Sequence, residues 1–415
     1  MIRGQFTLYV LCGNAAYNRG DRGNLSAQIA LLRERFPDAN IVVDSFRADV
    51  DRGWYSAEVV QRGAFLGREQ IERLARADVV VWGGGALVCD NAARTLIPYW
   101  LAVILFVKRV LRKPVMAWAQ GLVVTTKLGA RLGRLALNEV DTITVRDRNS
   151  FETLERIGAT RPPRERTADP ALLVKPASPE RGRALLASIG FDPSRDRIFA
   201  ITPTFWPFYH DASDIIPFFH SERLPRRRTH LDRSSDRVEA FVDVLARIAK
   251  RLVDGHEGRV LLVPRYPTRP WRDVEFLEDV RRRSGRPDDV FVLEEDRASP
   301  EDYLAMFHSF ACLVSTALHD AIFATAMQVP CVQFYYEPKG RDFFEELGAA
   351  DRACDWEMLF REGAEDRVST MVRETMESWE THKERMSPHR ERLMASARRN
   401  ADILEDLIRR RVSVR

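Results

Sequence analysis

Ser315, Thr316 and His319 fall within five positions of one another, directly after the apolar run Ala311–Val314 and directly before the apolar helical face Ala321–Met327. Hydroxyls, backbone N–H groups and an imidazole gathered where a strand gives way to a helix suit an anionic ligand. The first-turn N–H groups there lack intrahelical partners, and the helix dipole favours negative charge. The imidazole can exchange protons near neutral pH. The same residues also fit a plain helix cap beside a satisfied histidine. A second constellation is the glycine-rich stretch Gly13–Leu25, GNAAYNRGDRGNL, which follows the apolar run Phe6–Leu11. Here Asn18 and Gly20 would let the backbone approach a ligand while Asp21 supplies a carboxylate. The alternative is a turn that caps a helix starting near Leu25. A third is Gly83, Gly84 and Gly85, placed after Val79–Val81 as a turn close to a sugar or phosphate. Its spacing is not the dinucleotide fingerprint.

The elements that must position these residues alternate. Apolar runs at Phe6–Leu11, Asn40–Asp44, Val79–Val81, Val115–Ala119 and Thr142–Val145 read as buried strands. Helical patterns separate them, at Leu25–Phe36, Arg68–Ala75, Thr95–Leu111 and Ala130–Leu137. Such alternation predicts a doubly wound parallel sheet, whose ligands bind beyond the carboxyl ends of the strands. After the Pro- and Ser-rich stretch Lys175–Arg197 the pattern restarts at Ile198–Thr202. It runs through a helix at Arg237–Leu252, strands at Val260–Val263 and Val290–Leu293 with a helix at Asp273–Arg282 between them, and the strand, helix, strand unit Ala311–Tyr335. A last helix is expected over Ser378–Arg411. The chain is therefore expected to form an α/β, GT-B-like fold, with two Rossmann-like domains (1–178 and 179–415) facing across a cleft and a long C-terminal helix.

With 415 residues, 45% of them hydrophobic and 30% charged, the chain can bury two cores. A net charge of +4 on 64 basic and 60 acidic side chains does not point to a nucleic-acid partner. The five cysteines are scattered and odd in number, which predicts free thiols in a reducing cytoplasm. No Cys or His pair has zinc-ligand spacing, so no metal is expected. The apolar stretch Leu96–Val107 is interrupted by Pro98 and is too short to cross a bilayer. Thr204–Arg233 mixes aromatics with arginines, including Arg226–Arg228. That mixture suits a sugar, or the phosphate of a lipid-linked acceptor with peripheral membrane contact, and equally a solvated loop with an apolar foot.

The segment around His319 resembles the C-terminal signature of the polysaccharide pyruvyl transferase family. Ser315, Leu318, His319, Phe323, Ala324, Pro330, Tyr336 and Lys339 stand in matching places, followed by Phe344 and Leu347-Gly348. Asn18, Gly20 and Asp21, the triple glycine, and the stretches Thr144–Gly158 and Ala168-Asp169-Pro170 resemble further family motifs in the same order. The resemblance implies transfer of a pyruvyl group from phosphoenolpyruvate, as co-substrate and without other cofactor, to a sugar or lipid-linked saccharide. It implies catalysis by His319 and Asp21, with Asp21 as hydroxyl ligand or general base. Asn18, Gly20 and Gly83–Gly85 would bind the acceptor, and Ser315 and Thr316 the donor. Two family arginines are absent, because Ala317 and the Thr202–Thr204 stretch occupy their places. Arg265, Arg269 and Lys339 are the candidate substitutes. The alternatives are a GT-B transferase with a nucleotide sugar or other anionic donor, and a non-catalytic sugar-binding descendant.

Overall fold

The computed structural model of the protein describes residues 5–12, 15, 17–63, 66–91, 94–208, 235–267, 273–294 and 298–412. Seven strands build the first sheet: β1 (Thr7–Leu11), β2 (Asn40–Ser45), β3 (Glu58–Gln61), β4 (Val79–Cys89), β5 (Val115–Val123), β6 (Thr142–Val145) and β7 (Arg164–Arg166). All pair in parallel, in the order β3-β2-β1-β4-β5-β6-β7. The second sheet holds β8 (Ile198–Thr202), β9 (Arg259–Leu262), β10 (Val290–Val292), β11 (Phe310–Ser315), β12 (Cys331–Tyr335) and β13 (Ala353–Asp355), again all parallel, in the order β10-β9-β8-β11-β12-β13. This is the two-sheet, GT-B-like arrangement expected from the alternating pattern. Strands β3, β7 and β13 were not legible as strands. They are three or four residues long and lie at sheet edges; β7 and β13 carry polar or half-buried side chains and β3 only the buried pair Val59-Val60, so all three lack the apolar run that marks a central strand.

Two elements near the site differ from the sequence reading. The helix expected from Leu25 begins at Arg19 and runs to Arg35. Asn18 is its cap, with Oδ1 accepting from Gly20 N at 2.8 Å and Asp21 N at 3.3 Å. Asp21 therefore stands in a first helical turn and not in an open loop. The triple glycine is not a turn either, since β4 passes straight through it. Gly83, Gly84 and Gly85 have φ of 148°, 93° and 143°, conformations that side chains disfavour, and the pairing with β5 slips between Gly85 and Val88. A Cβ on Gly83 would lie 2.1 Å from the Trp118 carbonyl oxygen, so this glycine is required by the neighbouring strand.

The two halves share one continuous apolar core. It includes Leu8 and Val81 of the first sheet, Phe323 on the helix Leu318–Met327, and Leu404 and Ile408 on the terminal helix Trp379–Arg411. That terminal helix returns to the first half. Asn400 Oδ1 accepts from Thr167 Oγ1 at 3.0 Å, and Arg35 pairs with Asp402 and Glu405. Helices Arg19–Arg35 and Leu318–Met327 meet through small residues. A Cβ on Gly20 would lie 2.5 Å from His319 Nδ1, and one on Gly23 would lie 2.4 Å from Phe323 Cζ. Cys12, Cys89, Cys312 and Cys331 are buried thiols, Cys354 is half-buried, and none of the five is in a disulfide. Among the described residues no helix is long and apolar enough to cross a membrane.

Candidate active site

A cavity of about 960 Å³, open to solvent, lies between the carboxyl ends of the two sheets. The first half contributes Asn18, Asp21, Gly84, Gly85 and Arg146 to its wall, and the second contributes Arg265, Tyr266, His319, Tyr336, Glu337 and Lys339. Each is placed by a local rule. Asp21 follows the Asn18 cap, Arg146 follows β6, Arg265 follows β9, His319 opens the helix after β11, and Lys339 opens the helix Pro338–Glu346 after β12.

At the centre, His319 Nδ1 is 3.8 Å from Asp21 Oδ1, and His319 Nε2 is 3.1 Å from Arg146 Nη1. Arg146 Nη1 also donates to Asp169 Oδ2 at 2.6 Å, while Asp169 Oδ1 accepts from Asn24 Nδ2 at 2.8 Å and from Ala171 N at 3.0 Å. A guanidinium can only donate, so Nε2 of His319 is the accepting nitrogen and the ring proton sits on Nδ1, toward Asp21. Burial, reinforced by Arg146, Arg265 and Lys339, pushes the His319 pKa well below its ordinary value and keeps the ring neutral. Burial raises the Asp21 pKa against the opposing pull of the same three cations. Burial works against the charge of Lys339, but Glu337, which pairs with it, and Tyr336 hold the ammonium above its ordinary range.

The structure thus brings Asn18, Asp21, Gly84, Gly85, Arg265, His319 and Lys339 to one cavity. Other residues singled out from the sequence stand elsewhere. Gly20 lies beneath His319 in the helix contact, and Gly83 lies against Trp118. Ser315 and Thr316 are buried with their hydroxyls already engaged. Ser315 Oγ accepts from Thr202 Oγ1 at 2.7 Å and donates to the Ala317 carbonyl at 2.8 Å, and Thr316 Oγ1 accepts from Thr204 N at 2.7 Å. They shape the turn after β11 and do not line the cavity. Arg269 and the Arg226–Arg228 run lie outside the described residues. Arg265 reaches the carboxyl ends of β8 and β12 from the side, donating to Thr204 Oγ1 at 2.9 Å and to Tyr336 Oη at 3.1 Å. Arg146 and Asp169 were missed as site residues, although both fall in stretches whose likeness to the family was noted. Tyr266, whose hydroxyl accepts from Asn18 Nδ2 at 3.2 Å across the two halves, carried no signal in the sequence.

The polysaccharide pyruvyl transferase family model matches residues 18–338. No curated protein sequence matches the chain. Among solved structures, the chain is similar to Anabaena HepE in complex with UDP, at 11% identity and a TM-score of 0.57, covering 97% of this chain and 100% of that one. It is also similar to the UDP-GlcNAc 2-epimerase of Methanocaldococcus jannaschii, at 12% identity and a TM-score of 0.56, covering 97% and 99%. A third similarity is to Escherichia coli ADP-heptose heptosyltransferase II, at 12% identity and a TM-score of 0.50, covering 90% and 99%. At these identities the likeness is one of fold.

Proposed function

The chain belongs to the polysaccharide pyruvyl transferase family and is a polysaccharide-modifying transferase, and from that premise we propose that it transfers the pyruvyl group of phosphoenolpyruvate to a saccharide as a ketal. The observation that carries this reading is the convergence of Arg146, Arg265 and Lys339 on the cavity that holds Asp21 and His319. Two of these cations have carboxylate partners, Arg146 in Asp169 and Lys339 in Glu337, while Arg265 makes no ion pair among the described residues. A guanidinium held by neutral hydroxyls at the cavity wall, beside two further cations, suits a donor that carries both a phosphate and a carboxylate. Arg265 donates to Thr204, in the stretch Thr202–Thr204 that replaces one of the family's arginines.

Ketal formation breaks the bond from C2 to the phosphate oxygen and forms two bonds from C2 to acceptor oxygens. Of the two hydroxyl protons released, one is balanced by the proton that converts the C3 methylene to a methyl, and the other leaves with phosphate. Asp21, its proton affinity raised by burial, takes the acceptor proton. His319, neutral and held by Arg146 at Nε2, offers Nδ1–H as a fixed donor to Asp21 or to a substrate oxygen. Arg265 and Lys339 hold the donor anion.

Calorimetry of the protein with phosphoenolpyruvate, and separately with UDP-glucose, tests the donor. Phosphoenolpyruvate is expected to bind, and Arg265→Glu is expected to weaken it by roughly 100-fold or more, since it replaces an attractive charge by a repulsive one in a partly buried site. Absence of phosphoenolpyruvate binding at millimolar concentration, with UDP-glucose binding in its place, refutes the donor and leaves the fold untouched.

A further inference from the structure

Among the described residues, the large apolar side chains that stand in solvent are Val110, Leu128 and Leu135, at 64%, 62% and 50% exposure. They sit on two helices that pack side by side on the first sheet, Leu96–Leu105 with its π-helical extension Phe106–Val110, and Lys127–Glu139. The ion pairs Arg109–Glu139 and Lys108–Asp141 align the far ends of the pair. The near ends lie at the cavity, which Leu96 and Val123 line. Leu128 and Leu135 are two turns apart and so share one outward face, and on the neighbouring helix the half-buried Leu101 and Leu105, one turn apart, share another.

Interleaved with these side chains are Arg112, Lys127, Arg131 and Arg134, all exposed and without an ion pair among the described residues. The acids beside this face are already engaged, Glu139 and Asp141 by Arg109 and Lys108, and Asp90 by Thr125 and Thr126. A second copy of the chain would bring these cations against themselves. An anionic lipid surface complements them, and their long stems can lie along the leucines while the charges reach headgroups.

We propose that this face docks on an anionic membrane surface, with the two helices lying in the plane of the interface and the cavity mouth at its edge. The inference goes beyond the transferase reading and does not depend on which donor is used.

Vesicle flotation tests it, with phosphatidylcholine vesicles that contain or lack phosphatidylglycerol. The protein is expected to float with the anionic vesicles, to stay behind with the neutral ones, and to be released by added salt. Arg131→Gln with Arg134→Gln should lower binding roughly 20- to 30-fold, from about fivefold per basic residue near a charged surface. Leu128→Ser with Leu135→Ser should also lower it without changing the melting temperature, because both side chains are exposed. The proposal is overturned if the native protein ignores anionic vesicles, or if binding survives both pairs of substitutions. A dimer in sedimentation that the serine variants disperse, without vesicle binding, would assign the face to a second copy and overturn it equally.

Discussion

Gly20→Ala isolates the helix contact that sets the position of His319. A methyl group there would meet His319 Nδ1 at 2.5 Å, Cβ at 2.7 Å and Cγ at 2.8 Å. Ordinary carbon contacts begin near 3.5 Å, so the two helices must part by about 1 Å. Side-chain rotation cannot relieve the clash, because the His319 Cβ is fixed to its own backbone. Two stability effects oppose each other. Alanine in place of glycine within the helix Arg19–Arg35 gains about 1 kcal/mol of helix propensity, while overpacking a close contact costs about 1–3 kcal/mol. The net change is therefore a loss of roughly 0–2 kcal/mol, too small to unfold the protein. Function should suffer more, since a displacement of about 1 Å at a reacting group costs on the order of 100-fold in rate. The assay is phosphate release from phosphoenolpyruvate in the presence of a saccharide acceptor, read beside a urea melt. Gly53→Ala serves as control, because a Cβ there meets nothing within 4 Å. A Gly20→Ala protein that keeps native turnover would refute both the contact and the role of His319.

The remaining predictions concern charge and anchoring. Because His319 titrates well below its unfolded value near 6.5, the unfolded chain takes up its proton first, so stability falls as pH drops below about 6.5; His319→Gln should flatten that part of a plot of melting temperature against pH. Asp320 behaves oppositely. Burial, against the hydrogen bond from Tyr303, raises its pKa from 3.8 to about 6, so the stability it contributes in acid is lost as pH rises from about 4 through 6, and Asp320→Asn should stabilise the protein at pH 8 by up to about 3 kcal/mol in urea melts. Arg146→Gln leaves Asp169 buried without its cation and should cost about 3–5 kcal/mol by denaturant titration; a loss below about 1 kcal/mol would contradict the pairing. Asn400→Ala removes the acceptor for Thr167 and should cost about 1–3 kcal/mol, again by denaturant titration, with the terminal helix exchanging amide protons faster.

The chain by itself determined the two runs of βα units, the central strands, the helix that carries His319, and the family likeness. Those features are written in local periodicity and in short motifs: the apolar face Ala321–Met327 marks the helix that carries His319, and β12 is bounded by Pro330 and the polar turn after Tyr336. Tertiary structure decided the rest. Whether Gly83–Gly85 turn or continue a strand depends on Trp118, 33 or more residues away in sequence. The helix after β1 begins at Arg19 because Asn18 caps it and because Arg19 N and Nε bind the Arg265 and Pro264 carbonyls of the other half. Ser315 and Thr316 looked like ligands, yet their hydroxyls are consumed by Thr202, Ala317 and Thr204. Arg146 and Asp169 became site residues only when the fold set them against His319. A sequence fixes which residues can donate, accept or pack, and their local spacing. Only burial and the approach of distant chain segments settle which of those capacities are satisfied within the protein and which remain turned toward a ligand.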